Sequence, residues 1–279
     1  MSDPRKLPIH TGQGLPQDLA AAAPGLFSHV KGLLFDVDDT LTSHGELAPD
    51  AYAALHRARD AGLWLCAVTG RGAGWCDLMV RIWPVHAVVG ETGAFTYFKG
   101  PDGRVTEEFF RAKQLAADRK QRDGVVADVL AAFPAARISR DSAFRLCDVA
   151  FDLVEDGPPI PDDTARAILE VLRQRGLTAA RSNVHINTWV GQYGKREMVE
   201  KILRERGMTA DAQVYAGDSR NDGPLFAYFP LSVGVANVRP LLDELRALGQ
   251  APAYITQKLA GAGFVELVDT ILQQRRGQP

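Results

Sequence analysis

Short apolar runs alternate with amphipathic segments along most of the chain, and this alternation predicts an α/β fold. In the first third, apolar runs predict strands at Leu33–Phe35, Leu63–Val68 and Val85–Val89, and helical spacing predicts helices at Pro49–Ala61 and Ala73–Ile82. After residue 190 the pattern resumes, with helices at Lys195–Arg206, Asp222–Tyr228, Arg239–Leu248 and Ala262–Arg275 and strands at Gln213–Ala216, Leu231–Val235 and Ala253–Ile255. Because continuously apolar strands are typical of parallel sheets with helices on both faces, we predict a doubly wound, Rossmann-like sheet.

The middle of the chain has a different pattern, which predicts an inserted second domain. A charged helical stretch at Glu108–Ala132 precedes strand-like runs at Arg137–Asp141 and Phe144–Val154, and a helix at Thr164–Arg175 precedes strands at Leu177–Arg181 and Val184–Asn187. This order predicts an α+β domain, an antiparallel sheet with two helices. We place the core at residues 1–107 and 190–279 and the insert at 108–189. Residues 1–28 are predicted to form a loose arm with one short helix.

Composition and charge exclude several classes of protein. The chain has 279 residues with a net charge of −2, so it lacks the basic excess of a nucleic-acid-binding protein. No apolar stretch approaches the length of a membrane span. The first fourteen residues are polar and contain prolines, which is unlike a signal peptide. We therefore expect a cytoplasmic protein without nucleic-acid or membrane partners.

Two carboxylates, Asp36 and Asp38, directly follow the first predicted strand, and Thr40 lies close behind. Residues two apart in an extended chain project to the same side, so both carboxylates can converge on one substrate atom. Two unpaired carboxylates repel each other unless a cation lies nearby. The pattern fits a nucleophile beside a divalent cation, and it equally fits a simple helix N-cap.

Further polar residues follow other predicted strands or begin helices. Thr69 and Gly70 come directly after the strand ending at Val68, where a hydroxyl and backbone amides suit a phosphate oxygen; an ordinary turn is the alternative. Lys195 begins a helix, the unfavourable end of the helix dipole for a cation, and a bound phosphate would account for it there. A solvated surface lysine is the alternative.

The segment Gly217-Asp-Ser-Arg-Asn-Asp222 follows the strand Gln213–Ala216. Asp218, Asn221 and Asp222 offer the hard oxygen ligands that Mg²⁺ prefers. Asp222 also suits a cap for the following helix. An Asp-rich turn is the alternative.

Taken in order, these four sites resemble the haloacid dehalogenase (HAD) superfamily. Asp36-Val-Asp38-Asp-Thr40 is similar to its first motif, Thr69 to the second, Lys195 to the third and the segment from Gly217 to Asp222 to the fourth. The position and order of the insert resemble the C2B cap of subfamily IIB, which includes Cof-like and sugar-phosphate phosphatases. One departure is the turn Glu91-Thr92-Gly93-Ala94, where members of the superfamily commonly carry Asn in place of Thr92.

The resemblance implies a magnesium-dependent phosphatase. Asp36 is implied to be the nucleophile that forms an aspartyl-phosphate, and Asp38 the general acid and base. Mg²⁺ would be held by Asp36, the backbone carbonyl of Asp38 and Asp218, with Asp222 at the metal or orienting Lys195. The phosphate-binding residues would be Thr69, Gly70, Lys195 and Asn221.

The cap is implied to select the leaving group, and a small sugar phosphate is the expected substrate. Arg145, His185 and Asn187 are the candidates for reading it, although each also suits an ordinary structural role. Two alternatives stay open: a phosphomutase of the phosphomannomutase type and a catalytically silent protein that binds a phosphorylated ligand. The sequence does not indicate an oligomeric state.

Overall fold

The computed structural model describes residues 12–182 and 184–276, which contain two sheets and eight α-helices. The strands are β1 Gln17–Asp18, β2 Gly32–Phe35, β3 Trp64–Val68, β4 Ala87–Gly90, β5 Phe95–Lys99, β6 Val105–Phe109, β7 Val149–Asp152, β8 Thr178–Arg181, β9 His185–Trp189, β10 Gln213–Gly217, β11 Leu231–Gly234 and β12 Tyr254–Ile255. The helices are α1 Pro49–Asp60, α2 Ala73–Ile82, α3 Leu115–Ala132, α4 Asp162–Gln174, α5 Lys195–Glu205, α6 Gly223–Tyr228, α7 Leu242–Ala247 and α8 Ala260–Arg276.

The larger sheet has nine strands in the order β1-β12-β11-β10-β2-β3-β4-β5-β6. All neighbours are parallel except β4 with β5 and β5 with β6. From β2 the chain proceeds to β3 and β4 on one side, and β10 to β12 lie on the other. The strand order therefore reverses beside β2, and such a switch point is where open α/β sheets bind ligands.

Alternate residues of the central strands pack on opposite faces of this sheet, as the pleat requires. On β2, Leu33 and Phe35 join the core formed with helices α1, α2 and α8, whereas Leu34 joins the core formed with α5, α6 and α7. Both faces are therefore buried, which is why these strands are continuously apolar. The predicted doubly wound sheet is confirmed.

The smaller sheet is antiparallel, with strand order β7-β9-β8, and helices α3 and α4 pack on one of its faces. Ile186 in β9 is buried against those helices. Its neighbours His185 and Asn187 therefore project to the other face, toward the larger sheet. We call this smaller unit the cap, and its α+β architecture agrees with the prediction.

Several elements around the cap differ from the prediction. Residues 105–109 form β6, which pairs with β5 in the larger sheet, so the helix expected from Glu108 begins only at Leu115. The strand expected at Arg137–Asp141 is reduced to one bridge between Ile138 and Phe151, followed by a 3-10 turn. The domain boundaries remain a prediction, although the last strand of the larger sheet before the cap ends at Phe109.

The amino-terminal segment is more ordered than expected over its described part. Gln17 and Asp18 pair with Tyr254 and Ile255 at the sheet edge, and a 3-10 turn follows at Leu19–Ala21. The part of the predicted arm before residue 12 lies outside the described residues. Within the described ranges, no helix is long and apolar enough to cross a membrane.

Candidate active site

A cleft lies where the carboxyl ends of the core strands face the cap. Three predicted residues stand in the first position after a core strand: Asp36 after β2, Thr69 after β3 and Asp218 after β10. The backbone amide of Asp36 donates to the carbonyl oxygen of Ala216 at 2.9 Å, which continues the pairing of β2 with β10. Neighbouring parallel strands thus bring Asp36 and Asp218 to the same edge of the sheet.

Lys195 joins the first and fourth motifs. Its Nζ atom donates to Asp36 Oδ1 at 2.9 Å and to Asp222 Oδ1 at 2.8 Å, although Lys195 and Asp36 are 159 positions apart in sequence. Lys195 is 5% exposed, so it is not a solvated surface lysine. Burial alone would lower the pKa of Lys195, but Asp222 and Asp36 outweigh burial and raise it, so the ammonium group stays charged.

Lys195 reaches this position because the start of α5 packs closely on the turn after β4. A Cβ atom on Gly93 would lie 2.2 Å from the carbonyl oxygen of Gly194, and Gly93 has a φ of +103°. Only glycine fits such an approach and such a backbone angle without strain. The turn that contains Gly93 therefore supports the helix start at Lys195.

Asp222 is fully buried and saturated with hydrogen-bond donors. Its Oδ1 accepts from Lys195 and from the hydroxyl of Tyr215 at 2.6 Å, and its Oδ2 accepts from the amides of Asp218 and Ser219 at 3.0 Å and from the Ser219 hydroxyl at 3.1 Å. Burial works to raise the pKa of Asp222, but Lys195, Tyr215 and Ser219 outweigh it and lower that pKa. With five donors, Asp222 suits the orienting role better than direct metal ligation.

The carboxylates of Asp218 and Asp36 accept fewer hydrogen bonds than the carboxylate of Asp222. Within residues 12–182 and 184–276, Asp218 accepts only long hydrogen bonds, from the Thr40 hydroxyl at 3.2 Å and from Asn237 Nδ2 at 3.3 Å. Burial and the nearby carboxylates of Asp222 and Asp36 raise the pKa of Asp218 to about 9. Burial likewise raises the pKa of Asp36, against the opposing effect of Lys195. Of these two carboxylates, Asp36 forms an ion pair with Lys195, whereas Asp218 has no ion pair among the described residues.

These residues fit a divalent cation. Oxygen atoms of Asp36, Asp218 and Asp222 lie within 4.8 Å of one another. Among the described residues, one buried ammonium group, that of Lys195, pairs with Asp36 and Asp222, and none pairs with Asp218. Carboxylate oxygens are the ligands that Mg²⁺ prefers. We call Asp36, Lys195, Asp218 and Asp222 the motif cluster.

Asp38 does not point into the motif cluster but forms an ion pair with Arg71. Arg71 Nε donates to both carboxylate oxygens of Asp38, at 3.2 and 3.0 Å, and Nη2 donates to Oδ1 at 2.9 Å. Arg71 also donates through Nη1 to Glu155 of the cap at 2.8 Å. Arg71 thus connects Asp38, in the core, with the cap.

Thr69, Gly70 and Asn221 surround the cleft in different ways. The Thr69 hydroxyl is fully buried and accepts from the Arg71 amide at 3.1 Å, so it shapes the loop and keeps one proton to donate. Gly70 and Asn221 line the cleft itself.

A second buried cluster joins the core to the cap. Glu91 has no exposed surface, and its carboxylate accepts from the amides of Leu146, Cys147 and Asp148 at 2.7, 2.5 and 2.9 Å and from Ala73 at 3.1 Å. Glu91 and its neighbour Thr92 both have positive φ angles, 44° and 57°, a backbone conformation that is costly for such residues. The hydrogen bonds from the cap amides to Glu91 compensate for this strain.

Arg145 belongs to the same junction. Its guanidinium donates to Asp141 and Asp148 and, at 3.1 Å, to the carbonyl oxygen of Gly70. Asn187 Nδ2 donates to Asp148 at 2.7 Å and to Gly70 at 3.3 Å. We call Glu91, Asp141, Arg145 and Asp148 the junction cluster. These contacts favour a structural role for Arg145, whose donors are engaged by the protein.

Most of the predicted site residues meet in one place. Eight of them line the cleft: Asp36, Asp38, Gly70, His185, Asn187, Lys195, Asp218 and Asn221. Thr69 and Asp222 lie behind this surface, and Arg145 lies at the junction. Their individual roles remain predictions.

Sequence reasoning missed several polar residues around the site. Arg71 directly follows Thr69 and Gly70 in the sequence, and a charged residue in that position was a usable signal. Asn237 follows β11, another strand whose carboxyl end faces the site, and its Nδ2 also donates to the carbonyl oxygen of Asp39 at 2.6 Å. Tyr215 is the one polar side chain in the otherwise apolar stretch 214–217 of β10. Glu155 gave no signal, because its loop meets Arg71 only in the folded chain.

The chain was also compared with known proteins. No family model matches the chain. The chain is 25% identical over 251 residues to phosphoglycolate phosphatase 1 from Saccharolobus solfataricus, covering 88% of this chain and 96% of that protein. It is 27% identical over 247 residues to phosphoglycolate phosphatase from Pyrobaculum aerophilum, covering 87% and 96%.

Solved structures agree in fold. A phosphatase of the haloalkanoate (HAD) enzyme superfamily from Bacteroides thetaiotaomicron matches with a TM-score of 0.62 and 18% identity, over 88% of this chain and 96% of that one. The sucrose-phosphatase from Synechocystis sp. PCC6803, in complex with sucrose and phosphate, matches with a TM-score of 0.61 and 16% identity, over 87% and 98%. The names agree with the predicted class of enzyme, a phosphoric monoester hydrolase. The core sheet and the cap together have the fold of haloacid dehalogenase phosphatases, to which these solved structures and sequence relatives are similar.

Proposed function

We propose that the protein is a magnesium-dependent phosphatase that hydrolyses a small phosphate monoester through an aspartyl-phosphate on Asp36. The observation that carries this proposal is the meeting of Asp36, Lys195 and Asp222 in one buried cluster beside Asp218. A structural cluster of this kind would be neutralised within the protein. In this one, Asp218 accepts only long hydrogen bonds and has no ion pair among the described residues, and both Asp36 and Asp218 line a cleft.

In the first step, an oxygen of Asp36 attacks phosphorus and the bond from phosphorus to the leaving oxygen breaks. Asp38 gives its proton to the leaving oxygen, and Lys195 and the amides near Gly70 hold the phosphoryl oxygens. Asp36 Oδ1 is held by Lys195, while its Oδ2 accepts no hydrogen bond within the described part of the chain, so Oδ2 is the attacking atom.

In the second step, Asp38 takes a proton from water, which attacks the phosphorus atom and releases phosphate from Asp36. Splitting the transfer in two lowers each barrier. Asp36 and Asp218 would hold Mg²⁺ with the Asp38 carbonyl, and Asp222 would keep Lys195 in place. The cation would offset the repulsion between anionic phosphate and anionic Asp36.

For the substrate, the relatives support two classes. The structural neighbour named sucrose-phosphatase supports the sugar phosphate expected from the sequence, whereas the sequence relatives are named for phosphoglycolate. Both are small phosphate monoesters. The cytoplasmic location and the absence of nucleic-acid or membrane partners stay predictions.

Phosphate release from a panel of esters tests the proposal. The panel contains hexose phosphates, a disaccharide phosphate, 2-phosphoglycolate and p-nitrophenyl phosphate, each with Mg²⁺ and with EDTA. We expect inorganic phosphate from at least one small ester, with Mg²⁺ only. Isomerised sugar phosphate without free phosphate would indicate a mutase, and an inert protein would indicate a binding role; either result would overturn the proposal.

A further inference from the structure

A group of charged side chains lies in the roof of the cleft, and the proposed reaction leaves its purpose open. Arg71 Nη1 donates to Glu155 Oε1 at 2.8 Å, and His185 Nε2 lies 3.0 Å from Glu155 Oε2. Arg71 comes from the core, whereas Glu155 and His185 come from the cap. The carboxylate of Glu155 therefore sits between two cationic or hydrogen-bonding groups, as a bound ligand would.

Arg71 and His185 form a built site. The two side chains are 12% and 5% exposed, and both line the cleft. Although His185 Nε2 is close to Glu155, the angle between them does not give a hydrogen bond, and Nε2 is a buried atom without one among the described residues. A buried polar atom that is left unsatisfied costs free energy. The site is therefore incompletely filled by Glu155.

The Glu155 side chain can leave this site without moving its backbone. Asp152 Oδ1 accepts from the amides of Val154 and Glu155 at 3.0 and 2.7 Å, and Asp152 Oδ2 accepts from Asp156 at 3.2 Å. These bonds hold the turn in place. The side chain of Glu155 is one-third exposed, whereas Arg71 and His185 are largely buried, so Glu155 already borders the solvent into which it would be displaced.

The electrostatics of the site favour a carboxylate over an uncharged group. The contact with His185 lowers the pKa of Glu155, burial opposes it, and Arg71 lowers it further, to about 2. An incoming carboxylate that replaced Glu155 would keep the charge next to Arg71 unchanged. An incoming hydroxyl group would leave Arg71 with one anionic partner fewer. Nε and Nη2 of Arg71 bind Asp38, so Nη1 is the charged donor that faces this position.

We propose that Arg71 and His185 form a carboxylate-binding subsite for the leaving group, and that Glu155 occupies it until substrate displaces it. Asp38, which would protonate the leaving oxygen, and Glu155 bind the same guanidinium. The ester oxygen and the carboxylate of the substrate are therefore close together. The substrates are phosphate esters of small hydroxy acids, a refinement that rests on the proposed phosphatase function.

A matched pair of substrates tests the subsite: 2-phosphoglycolate and 2-hydroxyethyl phosphate, which differ in a carboxylate and a hydroxymethyl group. We expect the wild-type protein to favour 2-phosphoglycolate by about tenfold in kcat/KM. Glu155→Gln should lower the KM for 2-phosphoglycolate relative to that for 2-hydroxyethyl phosphate by about fivefold, because a neutral occupant is displaced more easily. His185→Gln should change the ratio in the opposite direction.

Glu200→Gln is the matched control. Glu200 is also paired with an arginine, Arg196, and has the same 33% exposure, but it does not line the cleft. Its KM ratio should equal that of the wild-type protein. A ratio that Glu155→Gln leaves unchanged or raises would show that Glu155 is a structural or substrate-binding residue, and would overturn the proposal.

Calorimetric titration with glycolate separates the subsite from the reaction, because it needs no turnover. We expect glycolate to bind Glu155→Gln about fivefold more tightly than the wild-type protein. If every ester is inert but this difference holds, the phosphatase proposal fails and the subsite stands. If esters are hydrolysed but glycolate affinity is equal or weaker in the variant, the subsite alone fails.

Discussion

The motif cluster and the junction cluster are both buried and both rich in carboxylates, yet the protein itself satisfies only the second. In the junction cluster, each carboxylate oxygen of Glu91 accepts two backbone hydrogen bonds, and Arg145 neutralises its neighbours. In the motif cluster, Asp218 has only long hydrogen bonds and one oxygen of Asp36 has none among the described residues.

This difference is the one expected between a structural cluster and a site that binds a ligand. A buried carboxylate must be satisfied by donors or by a cation, because burial without either is costly. The junction cluster obtains its donors from backbone amides of the cap and therefore holds the two domains together. The motif cluster has fewer such donors among the described residues, and the proposed cation and phosphoryl group would supply the missing partners.

Replacing the nucleophile should have the largest effect. Asp36→Asn should reduce phosphate release by at least about 10⁴-fold, because an amide cannot form the aspartyl-phosphate. The fold should persist, since the substitution removes a buried charge that burial already disfavours. Steady-state phosphate release and the thermal unfolding midpoint measure both effects. Turnover within tenfold of the wild-type value would contradict the assignment.

Metal removal should affect the motif cluster alone. EDTA should abolish activity, and Mg²⁺ at about 100 times its Kd should stabilise the fold by about 2.7 kcal/mol. Asp218→Asn should lose this stabilisation. Asp77→Asn, which alters a carboxylate paired with Arg81 on the surface, should keep it. Equal Mg²⁺ responses in the two variants would show that Asp218 does not hold the cation.

Disrupting the junction should reduce stability instead. At pH 8, Glu91→Gln should destabilise the fold by about 3 kcal/mol, because the glutamine amide group cannot accept from the Cys147 and Asp148 amides. Denaturant unfolding measures this loss. The thermal shift on adding Mg²⁺ should be retained. A variant as stable as the wild-type protein would mean that the amides find other partners and that the junction is not held by Glu91.

The junction should also produce a modest dependence of stability on pH. Burial first, and then the charge of Asp148, raise the pKa of Glu91 from 4.5 to about 7. Between these values the folded protein holds a proton that the unfolded chain releases, so the free energy of unfolding falls as pH rises. Comparing wild-type protein with Glu91→Gln over pH 4.5 to 7 isolates this contribution. Parallel pH profiles would contradict it.

The sequence predicted the central parallel strands β2, β3, β4, β10 and β11 closely, because these strands are apolar on both faces. Helix α2 was predicted with its observed limits, and β10 was predicted to within one residue. The edge of the larger sheet next to the cap was harder, because residues 105–109 are half polar and form a strand only by pairing with β5. Such long-range pairing leaves no periodic signal.

The site residues could be predicted where a polar side chain directly follows a core strand. Asp36 and Asp218 occupy the first positions after β2 and β10, so the sheet itself brings them together. Arg145 was assigned to substrate from its place in the cap, but its partners Asp141, Asp148 and Gly70 are known only from the folded structure. Contacts between domains, such as that of Arg71 with Glu155, join residues that are far apart in sequence, so no local pattern predicts them.

Rapid quenching tests the central claim most directly. The protein is mixed with ³²P-labelled substrate and Mg²⁺, quenched in acid within the first turnover, and digested for mass spectrometry. We predict a phosphoryl group on the peptide that contains Asp36, absent with EDTA and absent in Asp36→Asn. Phosphate release during that turnover with no labelled Asp36 peptide would contradict the account.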